Sequence, residues 1–364
     1  MDRGQSPVQV SLRRESFGEK ERVAVEATGL SASLFRYDTG IEAVRLTNSR
    51  GNVVVLPYLG QMVWSANFHG VDLAMRSMFT APRPAKSIVE TYGCLAYHCG
   101  MLRVGVPGPE DNHALHGEAP CAEMDEAGIA CGVDEKGAWI AVTGKREYAM
   151  GFGSHYLATP RVAIRPDETA LDFVMEVENL STADMDLMYL CHANFAFAEG
   201  ARVVQPVPFT PDKVVARTAI PGHIPETPQY RARINEFAAH PERMSTLGEP
   251  SLYDPEQVFY VKGLKRGVDG LVHFMLLRRE GDAFTVAYDP ESMPHLIRWI
   301  LVNADQGVAG FALPATCEPE GYTAEKRKGN VRTLAGKAKA RFATRLGYVD
   351  KAHAAAAARN IEGK

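Results

Sequence analysis

The 364-residue sequence predicts an all-β protein, a single large antiparallel sandwich or barrel. Three observations lead there. Short runs rich in β-branched and aromatic residues recur from about residue 40 to 345. Polar connectors containing Gly or Pro separate them, as hairpin turns do. No sustained 3.6-residue periodicity lies between the runs, which argues against helical crossovers and a parallel sheet.

In chain order, "NVVVLPYLGQMVWSANF" opens the series, and "AWIAVTGKRE" continues it. In "LDFVMEVENL" the apolar residues Leu171, Phe173, Val174, Met175 and Val177 mix alternation with a solid patch. That is the pattern of a strand covered on both faces. "LMYLCHANFAF", "LVHFMLLRREGDAFTVAYD" and "LIRWILVNADQGVAGFAL" follow, with "RPDET", "REGD" and "ADQG" as turns. Residues 227–249 are polar and suit a short helix or a long loop. The expected division is an N-terminal extension over 1–40, a β domain over 41–348 and an Ala-rich tail over 349–364.

Lys and Arg number 40 against 44 Asp and Glu, so a formal charge of -4 gives no case for nucleic acid or an anionic membrane. The basic run Lys326, Arg327 and Lys328 reads as a solvated turn. No apolar run approaches the ~20 residues of a membrane span, and the N-terminus lacks a segment of signal-peptide character. Six dispersed cysteines form no Cys-x-x-Cys pair, so free thiols in a reducing cytoplasm are expected.

Three ionisable residues stand beside strand or turn structure: His116 in "NHALHGEAP", His192 in "YLCHANF" and Glu318 in "ALPATCEPEGY". Alone, each has an ordinary reading, as a turn histidine, a satisfied core histidine and a loop Glu-Pro. Together, two imidazoles and a carboxylate suffice for general acid–base catalysis without a cofactor. His98 adds a third imidazole. His98, His116, His192 and Glu318 offer ligand types for a metal, but without compact helical spacing, so no metal is expected. Asp289 reads as a strand-end acid that binds hydroxyls or as a plain Asp-Pro turn. Trp299 reads as a ring-stacking aromatic or as core.

"NHALHGEAP", "VENLSTADMDLMYLCHANF" and "GFALPATCEPEGYTAEKRKGN" resemble, in that order, three signature regions of the aldose 1-epimerase (galactose mutarotase-like) superfamily. "GQMVWSANFHGVDLAMRSMF" and "GCLAYHCGMLRVGVPGPEDNHALHGE" resemble a divergent aldose 1-epimerase-like family, mostly of unassigned function, over most of residues 45–350. The resemblance implies a large antiparallel β-supersandwich with an open carbohydrate cleft. It implies that His192 is the general acid and Glu318 the base, while His116 polarises the sugar, without metal or cofactor.

Departures from the superfamily pattern are specific. Glu118 stands where a second Gly is usual and implies a carboxylate at the pocket rim. Asn194 replaces a Tyr. The usual N-terminal arginine motif is absent, with Arg76 or Arg103 as substitutes. The leading expectation is a sugar epimerase acting at the anomeric carbon on a small carbohydrate. The alternatives are a keto-sugar epimerase, aldose–ketose isomerase or lyase, and a non-catalytic carbohydrate-binding protein. Exposed edge strands are compatible with a homodimer.

Overall fold

The computed structural model describes residues 7–222 and 224–363. Two antiparallel sheets face each other. The smaller has nine strands in the order Val8–Ser11, Glu126–Asp134, Gly137–Ala149, His155–Ile164, Ala170–Asn179, Lys339–Val349, Ala283–Tyr288, Val272–Leu277 and Arg202–Val204. The larger has fourteen. Its main path runs Val214–Ala216, Gln257–Val261, His295–Val302, Gly307–Ala315, Met185–Ala193, Ala96–Met101 and Val63–Phe68. It then continues through Gly51–Val55, Glu42–Asn48, Leu30–Arg36 and Arg22–Ala27.

Burial follows position in the sheet. All nine residues of Gly307–Ala315 and all six of Ala96–Met101 are buried, because one face packs on the second sheet and the other lies under loops. Toward the rim of the smaller sheet, Gly137–Ala149 alternates between exposed and half-buried residues at its far end, as a strand with one wet face does.

Side-chain alternation sorts the central strands. Tyr189 and Cys191 face the gap between sheets, where the Tyr189 ring stacks on Phe342 of the opposite sheet at 4.4 Å. Leu190 and His192 therefore point to the outer face. On the neighbouring strand Cys191 pairs with His98 and His192 with Tyr97. His98 therefore shares the inward face and stacks on Phe173 at 3.9 Å with an 8° interplanar angle.

The ends of the chain depart from the expected division. Val8–Ser11 pairs with Glu126–Asp134, and Arg22–Ala27 and Leu30–Arg36 extend the edge of the larger sheet. Residues read as an extension are thus built into both sheets, because Leu30, Ala32 and Leu34 are apolar at every second position and bury. The Ala-rich tail is a helix, Lys351–Glu362, capped by the Asp350 side chain and closed by Gly363 in the left-handed region. Its Ala354 and Ala358, four apart, pack with Val204, Met275 and Ala283. In the polar 227–249 region a helix spans Pro228–Ala239, with Thr227 as cap and Tyr230, Ile234 and Phe237 buried. All six cysteines are free. Among the described residues no helix is long and apolar enough to cross a membrane.

Phe173 is fully buried at the meeting of the sheets. Phe173→Ala is expected to cost about 3–5 kcal/mol through lost transfer and a residual cavity. Urea unfolding of both proteins checks this, and a loss under about 1 kcal/mol would show that the sheets do not rest on this contact.

Candidate functional site

His116 is positioned by a tight turn. Its backbone lies in the left-handed region at φ 62°, and Gly117 follows at φ 85°. A Cβ on Gly117 would sit 2.0 Å from the Arg103 carbonyl oxygen, so only glycine fits. The His116 amide donates to the Gly105 carbonyl at 2.9 Å, and its own carbonyl accepts from the Gly100 amide at 3.1 Å. The Leu-His-Gly triplet is therefore a backbone requirement as well as a chemical one.

His192 comes from the outer face of the Met185–Ala193 strand, where it is 4% exposed. Its ring stacks on Tyr97 at 4.7 Å, and His116 meets it edge-on at 4.9 Å. Trp299 stands edge-on at 5.3 Å from the other side. Asn194 Oδ1 lies 2.7 Å from His192 Nδ1, while Asn194 Nδ2 donates to the Cys94 carbonyl at 3.0 Å. The amide orientation is fixed by that second bond, so Oδ1 accepts and Nδ1 carries the hydrogen. In the neutral ring Nε2 is then the unprotonated nitrogen.

Burial keeps both imidazoles neutral. It lowers His192 to about 4, against a smaller upward effect of the Asn194 bond. His116 is held well below the ordinary histidine value by burial, then by the proximity of His192 and His113. Neutral imidazoles accept protons at pH 7; the poised general acid expected at His192 is not its resting form.

These rings line a cavity of about 310 Å³. Its floor carries Leu190, Val258, Ile297 and Leu313, and Trp299 and Tyr92 form an aromatic wall. The carboxylate in its lining is Glu256. Trp299 Nε1 donates to Glu256 Oε2 at 2.7 Å, and Arg217 Nη2 donates to Oε1. A bulge aims the tryptophan: two residues between Gly310 and Leu313 oppose Arg298 alone. Arg298 turns inward, fully buried, with Nε on the Phe311 carbonyl and Nη2 on Gln205.

The cavity thus gathers His116, His192 and Trp299 from the sequence-predicted set, with Asn194 directly behind His192. The others lie elsewhere. Glu318, expected to face the cleft, instead accepts from Lys328 Nζ at 2.7 Å, and its amide donates to Glu325 at 2.9 Å. Pro319, not Glu318, reaches the cavity lining. His98 is sealed between the sheets, where burial lowers it to about 3, so it cannot meet a substrate. Arg76 donates to the carbonyls of Asn303 and Ala304 at 2.7 Å each, holding the loop that carries Gln306. Arg103 lies over the Tyr322 ring at 3.7 Å. Asp289 pairs with Arg266 and caps its own turn through the Glu291 amide.

Glu118 Oε1 accepts from the Met101 and Leu102 amides and from the Tyr156 hydroxyl, at 2.9, 2.8 and 2.8 Å. It acts as a clamp and does not line the cavity at His192. It borders a wider depression of about 790 Å³ across the turn, where Arg14 pairs with Glu42 and Glu123. That depression contains no imidazole, so the cavity at His192 is the candidate site.

Arg217, Glu256, Tyr92 and Gln306 were not singled out from sequence. Glu256 did carry a signal, an acid after Asp-Pro at the head of the apolar strand "QVFYV". Among the described residues no group of three or more His, Cys, Asp or Glu is arranged to hold a metal ion.

Replacing Asn194 tests how His192 is set. Asn194→Asp is expected to raise the His192 pKa from about 4 by placing a negative charge on Nδ1–H. Asn194→Ala removes the upward influence and should leave it at or below that value. NMR titration of the ring carbons reads both. A pKa unmoved in both variants would exclude Asn194 as the orienting group.

The matching family model is "Domain of unknown function (DUF4432)", over residues 38–348. No curated protein matches the chain. Among solved structures, a "putative aldose 1-epimerase" from Klebsiella pneumoniae subsp. pneumoniae MGH 78578 superposes with a TM-score of 0.79 at 16% identity. The match covers 98% of this chain and 95% of that one. A galactose mutarotase-like protein from Clostridium acetobutylicum gives 0.54 at 12% identity, covering 91% and 99%. The galactose 1-epimerase from Lactobacillus acidophilus NCFM gives 0.50 at 13%, covering 90% and 98%. At these identities the likeness establishes the fold. The chain has the galactose mutarotase-like fold, and by its match over residues 38–348 it belongs to the family of the Domain of unknown function (DUF4432).

Proposed function

We propose that this protein is a cofactor-independent sugar epimerase that interconverts anomers by acid–base ring opening. One observation carries the reading: a buried neutral imidazole, His192, has its tautomer fixed by Asn194 so that its basic nitrogen is available within an aromatic-walled cavity. An aromatic wall suits the C–H face of a sugar ring, and the polar groups of Arg217, Glu256, Gln306 and His116 suit its hydroxyl edge.

The chemistry follows from that base. His192 Nε2 takes the proton of the anomeric hydroxyl, and the bond from the anomeric carbon to the ring oxygen breaks. The ring oxygen, attached to the same carbon, takes the proton back from the imidazolium. His116 and Arg217 supply hydrogen bonds as charge develops. Rotation about the bond to the next carbon turns the other carbonyl face, and the reverse steps close the other anomer. One imidazole thereby serves as base and then acid, and no carboxylate at Glu318 is required.

A second reading is favoured by Arg217. A guanidinium in the same cavity as a neutral base also suits proton removal next to a carbonyl, where its remaining donors would hold the enediolate oxygen. NMR in D₂O on neutral aldoses, uronates and keto-sugars separates the two. Faster anomer exchange without deuterium on carbon is the expected result; deuterium on carbon would move the protein to the isomerase reading. His192→Gln should lower the rate about 10²-fold or more. Glu318→Gln, which breaks a partly exposed ion pair, should leave it within about fivefold. The opposite order would restore Glu318 as the base.

The pH profile gives an independent check. His192 acts as a base only when neutral, so the rate should be flat through neutrality and fall as pH drops through about 4. An acid limb near the ordinary histidine value of about 6.5 would show a base other than a buried imidazole.

A further inference from the structure

The composition of the cavity addresses which sugar it holds, an inference that rests on reading the cavity as a sugar site. Of the eighteen residues lining it, eleven are aliphatic, Phe, Met or Pro. The floor beneath His192 is aliphatic, with Leu190, Ile297 and Leu313 each exposed by 2% or less. At the mouth, Met78 and Val89, from separate segments, are both 57% exposed. Apolar side chains therefore line the cavity from floor to rim.

The polar groups are few and mutually engaged. Arg217 is the one cation in the lining, and its Nη2 is committed to Glu256. Glu256 in turn spends its second oxygen on Trp299. The pair cancels in charge. A phosphorylated or carboxylated sugar would thus bring an anion to a site with no unpaired cation and low-dielectric walls. A fully hydroxylated neutral hexose fares better, but hydroxyls set against the floor or the rim exchange water for carbon and lose hydrogen bonds.

We propose that the substrate is a neutral deoxy-sugar, whose missing hydroxyl or methyl group sits against the Met78–Val89 side of the cavity. The hydroxyl edge faces Arg217, Glu256 and His116, and the anomeric hydroxyl faces His192.

Calorimetric titration of the full chain with matched pairs tests this: L-fucose against L-galactose, L-rhamnose against L-mannose, and 2-deoxy-D-ribose against D-ribose. Glucose 6-phosphate and glucuronate complete the set. At least one deoxy member is expected to bind about tenfold tighter than its parent, the effect of sparing one unpaired hydroxyl, and the two anions should not bind. Met78→Asn and Val89→Thr, at exposed positions outside the core, should reduce that preference about threefold without altering stability. Equal or tighter binding of the parent sugars, binding of the anions, or binding of no sugar at all would each overturn the proposal. Preferential binding of a deoxy-sugar without faster anomer exchange would uphold this substrate class and reject the epimerase reading, so the two fail separately.

Discussion

The strict two-residue alternation of the central strands is the constraint on which the site depends. Met185–Ala193 and Ala96–Met101 are buried on both faces, so burial alone does not tell their faces apart. The register does. Cys191 opposite His98 and His192 opposite Tyr97 send one histidine into the sandwich and the other into the cavity. A slip of one residue between these strands would put both histidines on the same face. Aromatic stacking across the sheets, His98 on Phe173 and Tyr189 on Phe342, holds that register from the inner side.

Burial then sets the chemistry. An imidazole in a dry site loses its proton, and the neutral form needs something to decide which nitrogen keeps the hydrogen. At His192 that decision falls to Asn194, two residues on and just past the end of the strand. An aromatic phenol at this position would offer a different partner, so the change from Tyr to Asn reaches the His192 ring directly. The Arg217–Glu256–Trp299 chain plays a comparable part on the other wall: it orients the indole while leaving the cavity without net charge.

How far these features were legible depends on whether they are local. The strands, their antiparallel class and the Leu-His-Gly turn were legible because alternation, turn residues and a glycine obligation are written over a few neighbouring positions. The pairing of charges was not. Glu318, Asp289 and Glu256 share one local signature, a carboxylate beside proline near a strand end. Lys328 occupies the first and Arg266 engages the second, while Arg217, 39 residues away, turns the third toward the cavity. No window of sequence contains that choice. The same holds for Arg76 and Arg103, which spend their guanidinium groups on a loop and a tyrosine ring.

Glu118 shows how a departure from a motif can be structural in origin. Its carboxylate gathers the amides of Met101 and Leu102, just beyond the turn's own contacts with Gly100 and Arg103, and the hydroxyl of Tyr156 from the smaller sheet. The turn that carries His116 is thereby tied to both layers of the sandwich, and a glycine there would leave two amides and a phenol to find other partners. His116 occupies the left-handed region, where its backbone gains nothing from its side chain. Such a conformation persists only where surrounding bonds over-determine it, and Glu118 supplies three of them. The acid that sequence places at the pocket rim acts one step back, keeping the second imidazole edge-on to the first.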